Sequence, residues 1–271
     1  MYHDCVNTSK MDSLIEQFET MKIGGVKVAV SNVDIIRKAL ALLSELSDDV
    51  NITFAEQGMK IVAMDTGHVS LTAVKFSKGM FDVYFLGKET VIGVKLSNLV
   101  KVLSCVDGPT TFVYDEETPD FFKISTEHGN FQMGLIDLDS EEMLIPEMDF
   151  EVEIDADSSV FQKHVKNLSM FGGALRIQAD DEVWMSSSGD IGTGSIRLEG
   201  SRVKVSGPLD STFSLKYINT FCKAANVSKT VAIRLSPDQP LLLKYEFAED
   251  SYISFFLAPR YEEDNEEEDD E

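Results

Sequence analysis

Seven cations stand on four stretches of helical periodicity from which acids are missing. The stretches are 35–44 (IIRKALALLS), 97–105 (SNLVKVLSC), 160–170 (VFQKHVKNLSM) and 215–225 (LKYINTFCKAA). The cations are Arg37, Lys38, Lys101, Lys163, Lys166, Lys216 and Lys223. At the chain's average of 47 acids in 271 residues, about seven acids would fall in these windows, and none does. Asp34 and Glu45 lie just outside the first window. Such a set does electrostatic chemistry: rows of Lys and Arg make a positive face that meets a polyanion. The chain as a whole has a formal charge of −23, so the rest of its surface repels the same ligand.

Other chemistries find little support. There is no G-x-S-x-G elbow, no Walker loop and no H-E-x-x-H, which argues against a small hydrolase. His68 and His164 have no second His or Cys at ligand spacing, so no metal is expected. Gly189, Gly192 and Gly194 run G-x-x-G-x-G into a strand pattern, where a phosphate cradle needs a helix N-terminus; they read as turns. Asp137, Asp139, Glu141 and Glu142 lack the glycine and closing ligand of a calcium loop and read as solvated acids. Cys5, Cys105 and Cys222 are odd in number and show no CxxC, as expected of reduced thiols in an intracellular compartment. No apolar run approaches the ~20 residues of a membrane span, no signal-peptide core opens the chain, and no cofactor is implied.

The elements that position the cations form a duplicated pattern. Each half opens with a strand and a basic helix, continues as alternating strands with polar turns, and ends in a second basic helix and a hairpin. Thr118-Pro119-Asp120-Phe121-Phe122-Lys123-Ile124 matches Gln239-Pro240-Leu241-Leu242-Leu243-Lys244-Tyr245, and Gly67-His68 echoes Gly189-Asp190. An α+β fold of two similar domains follows, each a sheet backed by two helices. Alternation at Val26, Val28, Val30 and at Val69, Leu71, Ala73 implies one buried and one wet sheet face. The expected boundaries are an N-terminal extension at 1–24, domains at 25–134 and 152–261, a connector at 135–151, and an acidic tail at 262–271. Leu14, Ile15, Phe18 and Met21 give the extension an amphipathic helical pattern, whereas the tail is too acidic to bury a core. Pro146 and spaced acids make the connector extended, and its Met143, Leu144, Ile145, Met148 and Phe150 mark a contact surface.

Four separated motifs then carry a resemblance. Met64-Asp65-Thr66-Gly67-His68-Val69-Ser70-Leu71, LIDLDSEEMLIPE from 135, SSSGDIGTGSIRL at 186–198 and Phe256-Leu257-Ala258-Pro259-Arg260 followed by acids occur in the order seen in the eukaryotic sliding clamp. The chain resembles the proliferating cell nuclear antigen family over roughly residues 25 to 264. It departs in its N-terminal extension, its longer acidic tail and a shorter loop between Leu198 and Phe213.

The resemblance implies the DNA clamp fold, with three chains forming a closed six-domain ring around double-stranded DNA. The four basic helices would line the hole. A groove for partner peptides is implied at Met64, His68, Val69, Leu71, Met143, Ile145, Pro146, Phe150, Pro240, Phe256, Ala258, Pro259 and Arg260. Family members often carry a smaller residue at the position of Leu144 and Tyr at that of Phe256. The trimer seam would pair the strand carrying His128, Phe131, Met133 and Leu135 with one carrying Gly194, Ile196 and Leu198 of the next chain. The implied function is a DNA polymerase processivity factor, not an enzyme, with polymerase, clamp loader and other motif-bearing replication and repair proteins as partners. A checkpoint-type subunit of a heterotrimer is the alternative. The implied location is the nucleus or a replication site, viral compartments included.

Overall fold

The computed structural model describes residues 25–139, 143–146 and 148–260. The expected helix around 14–21 and the acidic tail lie outside them. The first half of the chain runs β1 (Val26–Val30), α1 (Asp34–Leu43), β2 (Asp49–Ala55), β3 (Gly58–Met64), β4 (Ser70–Ser77), β5 (Val83–Leu86), β6 (Thr90–Lys95), α2 (Leu96–Ser104), β7 (Thr110–Tyr114), β8 (Phe121–Thr126) and β9 (Asn130–Gly134). The second half runs β10 (Val152–Asp157), α3 (Ser158–Leu168), β11 (Ala174–Ala179), β12 (Val183–Gly189), β13 (Gly192–Arg197), β14 (Arg202–Val205), β15 (Leu209–Ser214), α4 (Leu215–Phe221), β16 (Thr230–Leu235), β17 (Leu241–Ala248) and β18 (Ser251–Leu257). The two halves thus repeat one element order, strand for strand and helix for helix.

The helices form where apolar residues recur at helical spacing. Leu96, Leu99 and Leu103 of α2 are buried, as are Phe161, Val165 and Leu168 of α3 and Leu215, Ile218 and Phe221 of α4. Burying that stripe leaves the lysines on the opposite faces. Asp157 caps α3, its side chain accepting hydrogen bonds from the Ser159 and Val160 amides at 2.9 Å each. After α4 the chain tightens into a 3-10 turn, Cys222–Asn226, which carries Lys223.

The strands pair in the same way in both halves. In the order β5-β1-β7-β8-β9, β1 is central; in the order β14-β10-β16-β17-β18, β10 takes its place. A second set follows suit, with β6-β2-β3 echoed by β15-β11-β12. The halves differ at one strand: β4 lies beside β18, whereas its counterpart β13 is an edge, and so is β9, the counterpart of β18.

The described residues divide into two compact units. One comprises residues 25–37, 49–61 and 75–139; the other comprises 38–48, 62–74 and the residues from 143 onward. These units cut across the boundaries expected at 25–134 and 152–261. The reason is the pairing of β18 with the start of β4, which draws 62–74 into the second unit. There the Ala258 amide donates to the Val69 carbonyl at 3.0 Å and the Ser254 hydroxyl to the Ala73 carbonyl at 3.4 Å, an antiparallel register. In that unit α4 lies on the sheet, with Phe221 stacked on Phe255 at a centroid distance of 4.4 Å.

Two strand readings need correction. β1 is buried along its whole length, because neighbours on both sides make it a central strand. On β4 the expected inward face is reversed at its start: Ser70 and Thr72 are buried, while Val69 is 40% exposed and Leu71 half-buried. An apolar residue turned outward where polar ones are turned inward marks a surface built for contact.

Candidate functional site: a basic helix set and an apolar groove

All four acid-free windows are helical, but the seven cations are not equivalent. Lys38, Lys101, Lys163, Lys166, Lys216 and Lys223 are exposed, and Arg37 is half-buried. Arg37 pairs with Asp34 on its own helix and comes within 4.0 Å of Asp107. Lys223 pairs with Glu45. Both strong partners, Asp34 and Glu45, are the acids that flank the first window. Lys38, Lys101, Lys163, Lys166 and Lys216 have no carboxylate partner among the described residues. In the second unit α3 and α4 are held side by side: Gln162 Nε2 donates to the Cys222 carbonyl at 3.0 Å, and Asn219 Nδ2 to Ser169 Oγ at 2.7 Å. Lys163, Lys166 and Lys216 therefore belong to one packed helix pair, which fixes their spacing better than separate loops would.

Every described residue of the expected groove belongs to the second unit. Met64 and His68 are in contact, with Nδ1 3.1 Å from Sδ. Val69 is tied to Ala258 through the backbone bond that begins the segment carrying Pro259 and Arg260. Phe256 lies in β18 opposite Leu242 and is only 6% exposed, so it belongs more to the core than to an open wall. On the connector Met143 and Leu144 are exposed, Leu144 at 75%. Ile145 and Phe150 are half-buried and Pro146 is exposed. The backbone on either side of Phe150 is anchored at one point, where the Ser236 hydroxyl donates to the Asp149 carbonyl at 2.9 Å and accepts from the Glu151 amide at 3.0 Å. Ser236 opens the turn that leads to Pro240. Met143, Met64 and Val69 give this unit several exposed apolar side chains, the raw material of a peptide-binding surface.

Two residues that hold the Met64 to Leu71 turn were missed in the sequence. Asp65 is 6% exposed and its carboxylate accepts four hydrogen bonds: Gly67 N at 2.9 Å, Val69 N at 3.0 Å, Ser70 N at 2.7 Å and Tyr217 Oη at 2.6 Å. Burial raises the Asp65 pKa, but the phenol and the three amides outweigh it and hold the carboxyl below its ordinary value. The same bond, with burial, pushes the Tyr217 phenol up to about 12. An Asp two residues before a Gly is a turn signal that could have flagged the first of the pair; nothing local flags Tyr217.

The residues expected at the seam fall on or beside the two edge strands. Phe131 and Met133 lie in β9, Gly194 and Ile196 in β13. His128 sits in the preceding turn, and Leu135 and Leu198 just beyond their strands. Leu198 is buried, its amide bonded to the Val183 carbonyl at 2.8 Å, so it packs within its own unit. A Cβ on Gly194 would come within 2.6 Å of the Phe171 ring, which explains a residue without a side chain there.

No group of His, Cys, Asp and Glu that could hold a metal occurs among the described residues, and no described helix is long and apolar enough to cross a membrane. A repeated α+β architecture with two basic helices in each half, and exposed apolar side chains in the second unit, is of the DNA-clamp class. The family model described as the N-terminal domain of proliferating cell nuclear antigen matches residues 26–149, and that of its C-terminal domain matches 144–260. A curated relative, "Probable DNA polymerase sliding clamp 2" of Paramecium bursaria Chlorella virus 1, is 40% identical over 237 residues, covering 86% of this chain and 90% of the relative. The chain belongs to the proliferating cell nuclear antigen family of DNA sliding clamps. It is accordingly a processivity factor for DNA polymerase and not an enzyme.

Proposed function

We propose that this clamp works as a closed homotrimer that encircles duplex DNA with its basic helices inward. One observation carries the reading. β18 pairs with β4 inside the chain, while their counterparts β9 and β13 are left as unpaired edges. An edge of that kind is an aggregation hazard unless something covers it. The repeat already contains the geometry that covers it, because β9 of one chain can take β13 of the next as β18 takes β4. This is a head-to-tail interface, and such interfaces form a ring when the rotation from chain to chain closes. Three chains of two domains each complete the six-domain ring of the family.

The DNA contact is then to phosphates, numerous and exchangeable, so the ring slides and is held by topology more than by affinity. The apolar surface of the second unit takes short peptides from polymerase, clamp loader and repair proteins, its connector supplying backbone and side chains together. The protein operates at replication sites, nuclear or viral. Light scattering tests the assembly: three chains of 30.2 kDa give a mass of about 90 kDa. A monomer at micromolar concentration overturns the homotrimer and leaves the heterotrimeric subunit as the reading to pursue.

A further inference from the structure

We infer that Tyr217 is a positioning residue of the partner groove, acting through Asp65 although it stands on a helix otherwise given to DNA. The inference rests on the groove assignment above. Its basis is how the turn from Met64 to Leu71 is built. His68 adopts φ 56°, a left-handed conformation that a residue with a Cβ takes only when its surroundings hold it there. Those surroundings centre on Asp65, whose carbonyl accepts from the His68 amide at 3.0 Å and whose carboxylate holds the residues on either side of His68. Asp65 Oδ1 receives the amides of Val69 and Ser70, and Oδ2 receives the amide of Gly67 and the hydroxyl of Tyr217.

Three of these donors lie in the turn or, as Ser70 does, at the first residue of β4 beside it. The fourth does not. Tyr217 is anchored on α4, between Leu215 and Ile218 of that helix's buried stripe, with its ring 6.2 Å from that of Phe221. The phenol is therefore the one bond of the four that ties the carboxylate to a helix, an element remote in sequence from the β3–β4 turn. Gly67 reports the closeness of the fit, since a Cβ there would lie 3.2 Å from the Tyr217 hydroxyl and 3.0 Å from Asp65 Oδ2. Val69 is the residue that this anchoring serves. Its amide is held by Asp65 and its carbonyl by Ala258, so both sides of its backbone are fixed while its side chain stands out to solvent. A peptide meets a pre-set wall and loses less to ordering on binding.

The test uses the full-length protein and a synthetic peptide whose single helical turn presents an aliphatic and two aromatic side chains, with an aromatic-to-alanine control. Tyr217→Phe keeps the ring and removes only the hydroxyl. It should weaken the peptide by about three- to tenfold, a fraction of the full value of a hydrogen bond to a charged group. Amide exchange should quicken at Gly67, Val69 and Ser70 and stay unchanged in β16 and β17, a pattern that a general loss of stability would not produce. Adding Tyr217→Phe to Asp65→Asn should weaken the peptide no further than Asp65→Asn does alone. Should Asp65→Asn fail to fold, Tyr217→Phe alone still decides. Ile145→Ala separates the two readings. If it loses affinity while Tyr217→Phe binds as wild type, the positioning role is wrong and the groove stands. If Ile145→Ala also binds as wild type, the groove assignment fails and takes the inference with it. Faster exchange spread evenly over the second unit in Tyr217→Phe overturns the positioning role as well.

Discussion

Ile136 and Arg260 make the same contact in the two halves of the chain. The Ile136 amide donates to the Gly93 carbonyl at 2.9 Å, and the Arg260 amide donates to the Thr212 carbonyl at 2.7 Å. Each donor lies just beyond the last strand of its half, and each acceptor lies on the strand that precedes the second helix. From this shared point the halves diverge: the first continues into the connector, the second into the acidic tail.

The first of these contacts makes Gly93 a sensitive position. A Cβ there would fall 2.2 Å from the Ile136 carbonyl oxygen and 3.3 Å from Leu138 Cγ. Gly93→Ala should therefore push the start of the connector off β6, at a cost of about 1–3 kcal/mol, the range for leaving partly buried backbone groups without partners. Urea unfolding and amide exchange at Ile136 measure it. Wild-type stability together with wild-type protection at Ile136 would show that the backbone shifts without cost.

What could be read from the sequence was whatever repeats locally. Three helices stand within two residues of their expected places, because an apolar stripe at helical spacing must be buried, and the fourth ends at Phe221, four residues before the end of its window, where the chain tightens into a 3-10 turn. The duplication was visible because the matching Pro119 and Pro240 turns fix the alignment. Strand neighbours were not visible, since nothing in β4 or β13 alone says which will find a partner. Pairings between residues far apart left no trace either. Tyr217 and Asp65 are 152 positions apart, and Lys223 and Glu45 are 178 apart. The exposed face of β4 was misread for a related reason: alternation locates two faces and does not say which one a partner will cover.

The ion pairs rank the basic residues. Reversing Lys163, Lys166 and Lys216 to Glu should weaken duplex binding and polymerase stimulation, and should lower the log–log salt slope by about 0.9 for each phosphate that is no longer neutralised. Reversing Lys223 alone should weaken binding less, because Glu45 already neutralises it. Titration of a short duplex over a salt series provides the slopes. A triple variant with the wild-type slope would remove these lysines from the DNA interface.

The Asp65–Tyr217 pair predicts two limbs in a stability-versus-pH curve. The Asp65 carboxyl is lower in the folded state, so its contribution is fully present above the unfolded value of about 3.9 and is lost as pH falls through the folded value. The Tyr217 phenol is raised, so its contribution is complete below about 10 and is lost as pH rises toward about 12. Asp65→Asn should flatten the acid limb without abolishing it, because Asp210, held down chiefly by Arg176, follows the same sign. Tyr217→Phe should flatten the alkaline limb. Urea midpoints measured across both ranges check each statement, and unchanged slopes in the variants would mean that the pair carries no linkage.

The groove is best probed at Ile145, and burial gives the reason. Phe256 is 6% exposed, one pair from the end of the β17–β18 ladder. Phe256→Ala should therefore cost about 3–5 kcal/mol of stability through the cavity it leaves, and any loss of peptide binding would be mixed with unfolding. Ile145 is half-buried on a connector that has no helix or strand among its described residues, so truncation there leaves the sheet intact. Ile145→Ala should keep the melting temperature and assembly of the wild type while weakening a clamp-binding peptide by about 2 kcal/mol, roughly thirtyfold, the scale of a hot-spot truncation. Calorimetric titration beside a thermal melt separates the two effects. Equal affinity for wild type and Ile145→Ala at an unchanged melting temperature would place the partner site away from the connector.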